Sequence, residues 1–517
     1  MTSYDNMPYT SNPFVLSSPG HLHTIGSLFR LDPPDYRTAR VLEIGCASGG
    51  NITPLAYRYP QSEFFGIDLS KVQIKSGEAQ IRALGLTNIR LKVLSLDELD
   101  ERHGPFDYII CHGVFSWVTA SLQNKIIELC SELLNPKGIA YISFNTFPGW
   151  TINRTIRDMM MFHVRGIEDS ATKAEQARAI LDFVVDGMRE DDGPYARFLR
   201  TEALRLSEHE DSYLLHEYLE EQNNPLYFTQ FMDMVRAHKL QYLSDAQFET
   251  MFVGNLPEDV GRRLGDLPDI VQTEQYIDFI RNRRFRRTLL CREDAPIERN
   301  LTPDDLTPFY ISTKLEMPGT LKQAQLDDDS VQSFSIDDID LNTDQPISKH
   351  AMYTLIQARG RPISFTALAS DLAEKTGGSV SQTTTHLLYQ LNLARLLLAG
   401  LIDIHSGGSD EPEQRSARPR ASALVRHQAR VSNQVTSLRH LPVKLIDMDR
   451  VLLTHLDGSR SEVDLAKLIS DQIADGKLAM SNTGIDAISE DPSRPADLEH
   501  VIRQRLDLFF KIGLLES

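Results

Sequence analysis

Over the first 150 residues, short apolar segments alternate with segments whose apolar residues recur at helical spacing. The apolar segments are ARVLEIG, EFFGIDL, IRLKVLSL, FDYIICHG and IAYISFNT. Between them lie amphipathic stretches such as KVQIKSGEAQIRALGL and QNKIIELCSELL. This alternation predicts a parallel sheet covered by helices on both faces. We therefore expect a Rossmann-like α/β domain over 1–150, with its ligand at the carboxyl ends of the strands.

A helical pattern follows in the middle of the chain, over 151–212. Farther on, QYLSDA and FRRTLLCR have the composition of strands. If these two segments complete the sheet, 151–212 is a helical insertion into the α/β domain. A separate helical middle region over 151–300 is the alternative description.

The remainder of the chain divides into an acidic segment and two similar stretches. The segment 301–345 contains DDDSVQSFSIDDIDLNTD, which predicts a linker or a segment that wraps an edge. The stretches 346–407 and 421–517 each predict a helix, a glycine-containing turn and a second helix. In each, a final helix ends at Gly400 or Gly513 before an apolar strand. This outline predicts two winged-helix-like units in a mainly helical C-terminal region.

The charge of the chain argues against bulk binding to nucleic acid. The 517 residues carry a net charge of −18, whereas phosphate contacts need clustered lysine and arginine. One basic run, RNRRFRRTLLCR at 281–292, stands out, and we interpret its arginines as partners of carboxylates within an acidic protein. The charge favours a partner with exposed amines or a basic surface.

Cysteine spacing and hydropathy bear on metals and membranes. The four cysteines, Cys46, Cys111, Cys130 and Cys291, lie too far apart for a zinc site or a disulfide framework. No apolar run approaches the roughly 20 residues that span a bilayer, and the N-terminus lacks the features of a signal peptide. We expect a cytoplasmic protein with reduced thiols, no metal and no membrane insertion.

The first strand ends in a glycine turn, GCASGGN, that is typical of nucleotide-like cofactors. A phosphate loop would need lysine after Gly50, where Asn51 stands, and a dinucleotide fingerprint would need glycine in place of Ala47. S-adenosylmethionine is the third option, because a positively charged cofactor without phosphates favours carboxylates. Glu43 precedes the turn, and Asp68 ends the next strand, where a carboxylate can accept hydrogen bonds from both ribose hydroxyls.

The segments VLEIGCASGG, FFGIDLS, FDYIICHGVFSWV and LLNPKGIAYISF, in this order, resemble class I S-adenosylmethionine-dependent methyltransferases. A closer resemblance lies in GCASGGN, CHGVFSW, SFNTFPGW, HEYLEEQNNPLYF and DFIRNRRFRRTLLC, which are similar to methyltransferases carrying a methyltransferase regulatory domain. Some members of that family are protein-lysine methyltransferases that act on bacterial outer-membrane proteins. The resemblance implies S-adenosyl-L-methionine as the cofactor and a protein as the substrate. It covers about the first 300 residues well and the rest more loosely.

Residue roles follow from the resemblance, motif by motif. The turn would line the methionine and ribose of the cofactor, Asp68 would bind the ribose hydroxyls, and Leu69 would lie against the adenine. Ser95 and Leu96 would meet the adenine edge, where many relatives carry an aspartate, so that Asp97 is a second candidate. The implied cofactor-binding residues are Glu43, Gly45, Cys46, Ala47, Gly49, Asp68, Leu69, Ser95, Leu96, His112 and Gly113.

The acceptor side is expected at SFNTFPGW, after the fifth strand. Methyl transfer rests on alignment and on exclusion of water, and a neutral amide such as Asn145 can orient an amine without ion pairing. Trp150, Trp117 and Tyr9 would supply aromatic walls, although plain core packing explains the two tryptophans equally well. We expect His112 to be a wall of the pocket rather than a general base.

Several functions remain open at this point. We expect a methyltransferase that modifies protein lysines, with the C-terminal units docking the substrate or forming a homodimer. If they only dock the substrate, their removal should leave cofactor affinity intact. The alternatives are a methyltransferase of a small molecule or of a cell-surface glycan or lipid precursor, and a regulatory protein that binds the cofactor without turnover.

Overall fold

A computed structural model describes residues 11–317, 319, 323–478 and 495–517. A seven-stranded sheet forms the centre of its N-terminal half. The strands are β1 Arg40–Ile44, β2 Glu63–Asp68, β3 Ile89–Val93, β4 Phe106–Cys111, β5 Leu134–Asn145, β6 Leu240–Asp245 and β7 Phe285–Arg292. Most of their residues are buried on both faces, which explains the nearly continuous apolar runs in the sequence.

The strand order is β3-β2-β1-β4-β5-β7-β6. Strands β1 to β5 pair in parallel, and β7 runs antiparallel to both β5 and β6. The order reverses between β1 and β4, and a crevice at such a reversal is where ligands bind in open α/β sheets. The expected Rossmann-like sheet is confirmed, and the two late segments QYLSDA and FRRTLLCR are its last strands.

The helices before β6 are α1 Pro19–Leu28, α2 Ile52–Arg58, α3 Lys71–Leu84, α4 Ala120–Leu133, α5 Gly149–His163, α6 Ser170–Gly187, α7 Pro194–Ser207, α8 Asp211–Tyr218 and α9 Phe228–Ala237.

Helices α5 to α8 form a helical insertion between β5 and β6. They enclose a small core of their own, which includes Ile156, Met160, Leu181, Leu199 and Leu214. The insertion therefore has the independent packing of a subdomain, although the chain returns to the sheet on either side of it. The predicted helical insertion is confirmed. Two further helices, α10 Glu258–Gly265 and α11 Ile270–Arg281, precede β7.

The segment 301–345, predicted as an acidic linker, is an ordered part of the fold. It contains β8 Tyr310–Thr313, the short helix α12 Gln323–Asp327, and a hairpin of β9 Gln332–Ile336 and β10 Ile339–Thr343. Ile311 and Phe334 are fully buried. Of the two predicted descriptions, a linker or a segment that wraps an edge, the pairing of β8 with two other strands favours the second, because a few apolar residues among many polar ones pack into the core.

The first C-terminal unit packs against the sheet domain. Its elements are α13 Pro346–Gln357, β11 Ile363–Ser364, α14 Phe365–Thr376, α15 Val380–Thr385, α16 Leu393–Leu398 and β12 Ile402–His405. Strands β11 and β12 flank β8, which lies in the supposed linker. Its buried residues, among them Leu355, Leu368 and Leu387, are continuous with the core of the α/β sheet.

The second C-terminal unit has a separate core, which includes Val425, Leu452, Leu465, Leu506 and Leu514. Its elements are α17 Ala423–Val431, β13 Gln434–Thr436, β14 Pro442–Lys444, α18 Asp447–His455, α19 Glu462–Ala474 and α20 Pro495–Lys511. A mainly helical C-terminal region is thus confirmed. In the described part of the chain, no helix combines the length and the hydropathy needed to cross a membrane.

Candidate cofactor and methyl-acceptor site

The glycine turn after β1 contains a position, Gly45, that only glycine can occupy. Gly45 has a φ of +74°, and an added Cβ would lie 2.3 Å from the Cγ2 atom of Val114. The N–H groups of Gly45 and Cys46 both donate to the carbonyl of Ile67, at 2.8 and 3.0 Å. The turn is therefore tied to the end of β2, beside Asp68.

Asp68 holds the far side of the turn. Its carboxylate accepts from the N–H of Ala47 at 2.9 Å and from the N–H of Ser70 at 2.8 Å. Ala47 has a φ of +48°, which is uncommon for a residue other than glycine, so this hydrogen bond fixes a strained position. Each carboxylate oxygen retains capacity to accept a second hydrogen bond, as ribose binding requires. The next residue, Leu69, is 62 % exposed and free to cover a ligand.

Glu43 is buried beneath the turn with one oxygen bonded and one without a partner. Oε1 accepts from Nδ2 of Asn51 at 2.7 Å, whereas Oε2 has no hydrogen-bond partner among the residues that the structure describes. Burial raises the pKa of Glu43 to about 8; the Asn51 hydrogen bond opposes this shift and the Asp68 charge adds to it. An unsatisfied, buried carboxyl group of this kind fits a positively charged ligand.

On the far side of Asp68, Ser95 follows β3 at the same edge of the sheet. Its N–H and hydroxyl both bond to the Glu98 carboxylate, at 2.9 and 3.0 Å, so the hydroxyl oxygen remains an acceptor. Leu96 is half-buried beside it, and Asp97 is exposed. Ser95 therefore offers an acceptor oxygen at this edge of the sheet.

His112 lies after β4 and is held from three sides. Its Nδ1 is 2.9 Å from the hydroxyl of Tyr141 and 3.2 Å from that of Ser143, which also accepts from the N–H of Gly113 at 2.9 Å. The Phe14 ring packs against it with centroids 3.8 Å apart. Burial lowers the pKa of His112 to about 3, so the imidazole is neutral and a poor general base at neutral pH.

Asn145 ends β5 at the same sheet edge and has a free amide. Its backbone N–H donates to the hydroxyl of Ser116 at 2.7 Å. The side chain is buried, and within the described ranges its Nδ2 has no hydrogen-bond partner. This buried donor is left unused by the described residues at the carboxyl end of β5.

The aromatic residues predicted near the acceptor are brought together only in part. Trp150 is 4 % exposed, donates from Nε1 to Asn223 at 2.8 Å, and lies edge-on to Trp117 with centroids 6.4 Å apart. Its contact with Tyr218 joins the first and last helices of the helical insertion, α5 and α8. These contacts are those of a packing residue, whereas Trp117 is half-buried. Tyr9 lies outside the described residues.

The basic run contributes to the fold rather than to an exposed patch. Arg286 is fully buried, and the ring of Phe228 lies 3.7 Å from its guanidinium carbon. The arginines of the run pair with carboxylates as follows: Arg283 with Asp245 and Asp278, Arg284 with Glu202, and Arg286 with Glu274 and Asp278. The interpretation of the run as internal ion pairs is confirmed for these three arginines.

Two residues that sequence reasoning did not assign complete the site. Asn51 is the last residue of the motif GCASGGN, so its place in the motif is a sequence signal for a role at the turn. His440 lies 389 positions farther along the chain and bonds to Asn51 at 2.9 Å. No pattern around His440 marks it as part of a cofactor site.

Two cavities lie near this region. One, of about 960 Å³, lies between α1, β12 and the C-terminal units and is lined by His440 but not by Glu43 or Asp68. The other, of about 720 Å³, borders the turn at Ser48 and is also lined by Glu208, Glu210 and Lys444. The turn is the candidate site because the buried Oε2 of Glu43 lies beneath it without a hydrogen-bond partner among the described residues. Within the described residues, no group of histidine, cysteine or carboxylate side chains is arranged to hold a metal ion.

Three family descriptions match separate parts of the chain. "Methyltransferase domain" matches residues 41–138, "Predicted methyltransferase regulatory domain" matches 210–292, and "PKMT, C-terminal winged helix domain" matches 417–514. The last range agrees with the second winged-helix-like unit predicted from the sequence.

Whole-length relatives are found in Rickettsia. An uncharacterised protein of Rickettsia prowazekii is 37 % identical over 99 % of this chain and 93 % of its own length. The structure of PKMT2 from Rickettsia typhi is 34 % identical with a TM-score of 0.87 and covers 98 % of this chain and 100 % of its own. The same protein in complex with AdoHcy is 35 % identical with a TM-score of 0.89 and covers 99 % and 100 %.

Proposed function

The chain belongs to the class I S-adenosylmethionine-dependent methyltransferases that carry a methyltransferase regulatory domain and a PKMT winged-helix domain, and from this premise we propose that it methylates lysine side chains of a protein. The observation that carries the proposal is the likeness to PKMT2, which extends over 99 % of the chain at 35 % identity. By analogy with members of the family, an outer-membrane protein is the first substrate to test.

The residues of the turn fit S-adenosylmethionine. Asp68 would bind the ribose hydroxyls, Glu43 would provide negative charge beneath the methionine portion, and Ser95 would accept from the adenine. When bound, the cofactor supplies a methyl group that bonds to the acceptor nitrogen as the carbon–sulfur bond breaks and its electron pair goes to sulfur. The acceptor's proton leaves to solvent, because the neutral His112 is too weak a base to hold it.

Cofactor binding should release a proton from Glu43. The free protein holds this carboxyl protonated at pH 7, because burial raises its pKa to about 8. A positive ligand lowers that pKa, so affinity should rise with pH and level off above about pH 8. Calorimetry in buffers of different ionisation enthalpy measures the released proton. Glu43→Gln should abolish the release, and wild-type affinity that is independent of pH below about 8 would contradict the assignment.

The acceptor pocket suits an amine that must lose its proton. A lysine has an unperturbed pKa of about 10.4, and a desolvated pocket with a neutral amide lowers it. Asn145 offers such an amide. The rate should therefore rise with pH below the pKa of the bound lysine. Aromatic walls from Trp117 and Trp150 remain part of the proposal.

Asn145→Ala should lower kcat about tenfold or more, since it removes the amide oxygen that would accept from the amine N–H and leave the lone pair directed at the methyl group. The dissociation constant of the cofactor should change by less than about twofold, because Asn145 lies on the acceptor side. Single-turnover kinetics and calorimetry measure the two effects separately. Asn145→Asp is the matched variant. Its negative charge should hold the lysine protonated, so the rise of the rate should occur at higher pH than in the wild type. If Asn145→Ala weakened cofactor binding by the same factor as it lowered kcat, the assignment of Asn145 to the acceptor side would be wrong.

Contact with a protein substrate is supported by the cavity at Ser48. Glu208 and Glu210 offer negative charge to a lysine-bearing segment, and Lys444 brings the C-terminal unit to the same cavity.

We also propose a homodimer, supported by exposed apolar side chains on the helical insertion, Phe162, Phe183 and Leu204. The four cysteines are unpaired and buried, which suits the cytoplasm.

The alternatives differ in their acceptor. A small-molecule, glycan or lipid methyltransferase would transfer label from the cofactor to those fractions, and a regulatory protein would bind the cofactor without transfer. Incubation with methyl-labelled cofactor and separated bacterial protein, lipid and small-molecule pools decides between them. We expect the label in protein.

A further inference from the structure

A loop of the second C-terminal unit reaches the cofactor turn. Residues 437–441 connect β13 to β14, and at their tip His440 is buried with its Nε2 2.9 Å from Oδ1 of Asn51. The loop is held from two sides. Arg58 of α2 donates to the carbonyl of Leu438 at 2.5 Å, and the N–H of Leu438 donates to Gly513 at 2.8 Å.

The direction of every hydrogen bond around Asn51 is determined by one obligatory donor. The N–H of Phe14 donates to Oδ1 of Asn51 at 2.9 Å, so this atom is the acceptor oxygen of the amide. His440 must therefore donate from Nε2. The imidazole is neutral, because burial lowers its pKa to about 3, and it carries its single proton on that nitrogen.

The other half of the amide points to the cofactor site. Nδ2 of Asn51 donates to Oε1 of Glu43 at 2.7 Å and to the hydroxyl of Ser17 at 3.1 Å. Ser17 gives its own proton to the carbonyl of Phe14 at 2.9 Å, so it can only accept from Asn51. All four hydrogen bonds of the Asn51 amide are used, and the orientation of Glu43 depends on them.

We propose that His440 is a positioning residue for cofactor binding: by fixing the Asn51 amide, it orients Glu43 so that Oε2 is left for the cofactor. The second C-terminal unit is then part of the cofactor site as well as a candidate docking unit. This inference rests on the cofactor site of the proposed function, but not on the identity of the methyl acceptor.

One consequence differs from the expectation drawn from the sequence. Removal of the C-terminal units was expected to leave cofactor affinity intact, since no residue beyond 300 was assigned to the site. The hydrogen bond from His440 to Asn51 contradicts the premise of that expectation. Loss of the second unit should therefore weaken cofactor binding in addition to any loss of substrate docking.

The test compares two substitutions at position 440, H440N and H440Q. Both introduce a side-chain amide, but the amide nitrogen lies at a different distance from Cβ. From Cβ to the donor nitrogen, histidine Nε2 and glutamine Nε2 are both three bonds away, whereas asparagine Nδ2 is two bonds away. His440 has a φ of +60°, a region in which asparagine is well tolerated, so H440N should preserve the loop. It should nevertheless lose the hydrogen bond to Asn51, whereas H440Q should keep it.

Calorimetry with S-adenosylhomocysteine and S-adenosylmethionine, without any acceptor, measures the effect. H440N should bind about tenfold more weakly than wild type, the loss expected for one buried hydrogen bond, and H440Q should recover most of the affinity. At saturating cofactor, kcat should be unchanged, so the effect appears in KM for the cofactor. The control is H455N in the same unit, because the His455 imidazole bonds through Nδ1 to the carbonyl of Val451 in its own helix at 2.8 Å. H455N should bind as wild type does.

Two results would overturn the proposal: H440N binding within twofold of wild type, or H440Q binding as weakly as H440N, which would indicate ring packing instead. Melting curves without cofactor show whether each variant is folded. Should H440N not fold, H440Q alone decides, with affinity within threefold supporting the proposal and a tenfold loss contradicting it. A wild-type protein that binds cofactor but methylates no lysine would contradict the proposed acceptor and leave this inference untouched.

Discussion

Arg286→Leu should lower the free energy of unfolding by about 3–5 kcal/mol, the usual cost of removing one partner from a buried ion pair. The Arg286 guanidinium is fully buried, with Nε 2.8 Å from Asp278 and Nη2 2.8 Å from Glu274. Leucine leaves both carboxylates in an apolar environment, with Arg283 as their remaining cation within 4 Å. Urea unfolding followed by tryptophan fluorescence is a suitable measurement, because both tryptophans, Trp117 and Trp150, lie near this sheet edge.

The loss should also depend on pH. Burial raises the pKa of both Glu274 and Asp278. A carboxyl whose pKa is raised in the folded protein destabilises it as pH rises through that pKa, so the deficit of the variant should be smaller in acid than at neutral pH. Arg262→Leu is the matched control, because Arg262 pairs with Glu258 on the surface at 2.8 Å. It should change the unfolding free energy by less than about 1 kcal/mol. Equal effects from the two variants would show that the buried network is not stabilising.

Asp68→Ala should weaken S-adenosylmethionine binding at least tenfold, and turnover should fall by a similar factor at cofactor concentrations below the new dissociation constant. The carboxylate has two tasks: it anchors the N–H groups of Ala47 and Ser70 and would accept from the ribose hydroxyls. Charged hydrogen bonds contribute about 1.5–3 kcal/mol each, and a tenfold loss corresponds to about 1.4 kcal/mol. Calorimetry measures the affinity directly.

One further variant at position 68 and one surface control test the role of the Asp68 carboxylate. Asp68→Asn keeps one oxygen acceptor but directs an amide toward a backbone donor, so an intermediate loss is expected. Asp371→Ala serves as the control, because this aspartate pairs with Lys375 on the surface of α14 at 2.7 Å. If Asp68→Ala bound the cofactor as tightly as the control, the ribose assignment would be wrong. Tighter binding of NAD or ATP by the wild type would contradict the cofactor itself.

The sheet could be predicted from the sequence because burial on both faces leaves a strong local signal. Strands β1, β2 and β4 and the second half of β5 are mostly apolar runs, and the glycine turn after β1 marks where a ligand is expected at the sheet. Asp68 followed from its position at the end of the neighbouring strand. These features are local in sequence, so each strand and the glycine turn can be predicted from a single segment of the chain.

The segment 301–345 and the role of His440 could not be predicted, because both depend on contacts between distant parts of the chain. β8 becomes a strand only through pairing with β11 and β12, which lie more than 50 residues away. His440 acts across 389 residues on Asn51, and a single histidine in a loop gives no periodicity to recognise. The net charge, in contrast, correctly indicated that the arginines near Arg286 are neutralised internally.

The central claim is that this chain transfers a methyl group from S-adenosylmethionine to lysine nitrogen. Its most direct test is peptide mass spectrometry of bacterial outer-membrane protein incubated with the enzyme and isotope-labelled cofactor, with Asp68→Ala as the variant of weakened cofactor binding. The account predicts labelled methyl groups on lysine side chains with the wild type and at least severalfold less label with Asp68→Ala when the cofactor is not saturating. Label on carboxylates, hydroxyls, lipid or small molecules, with none on lysine, would contradict it.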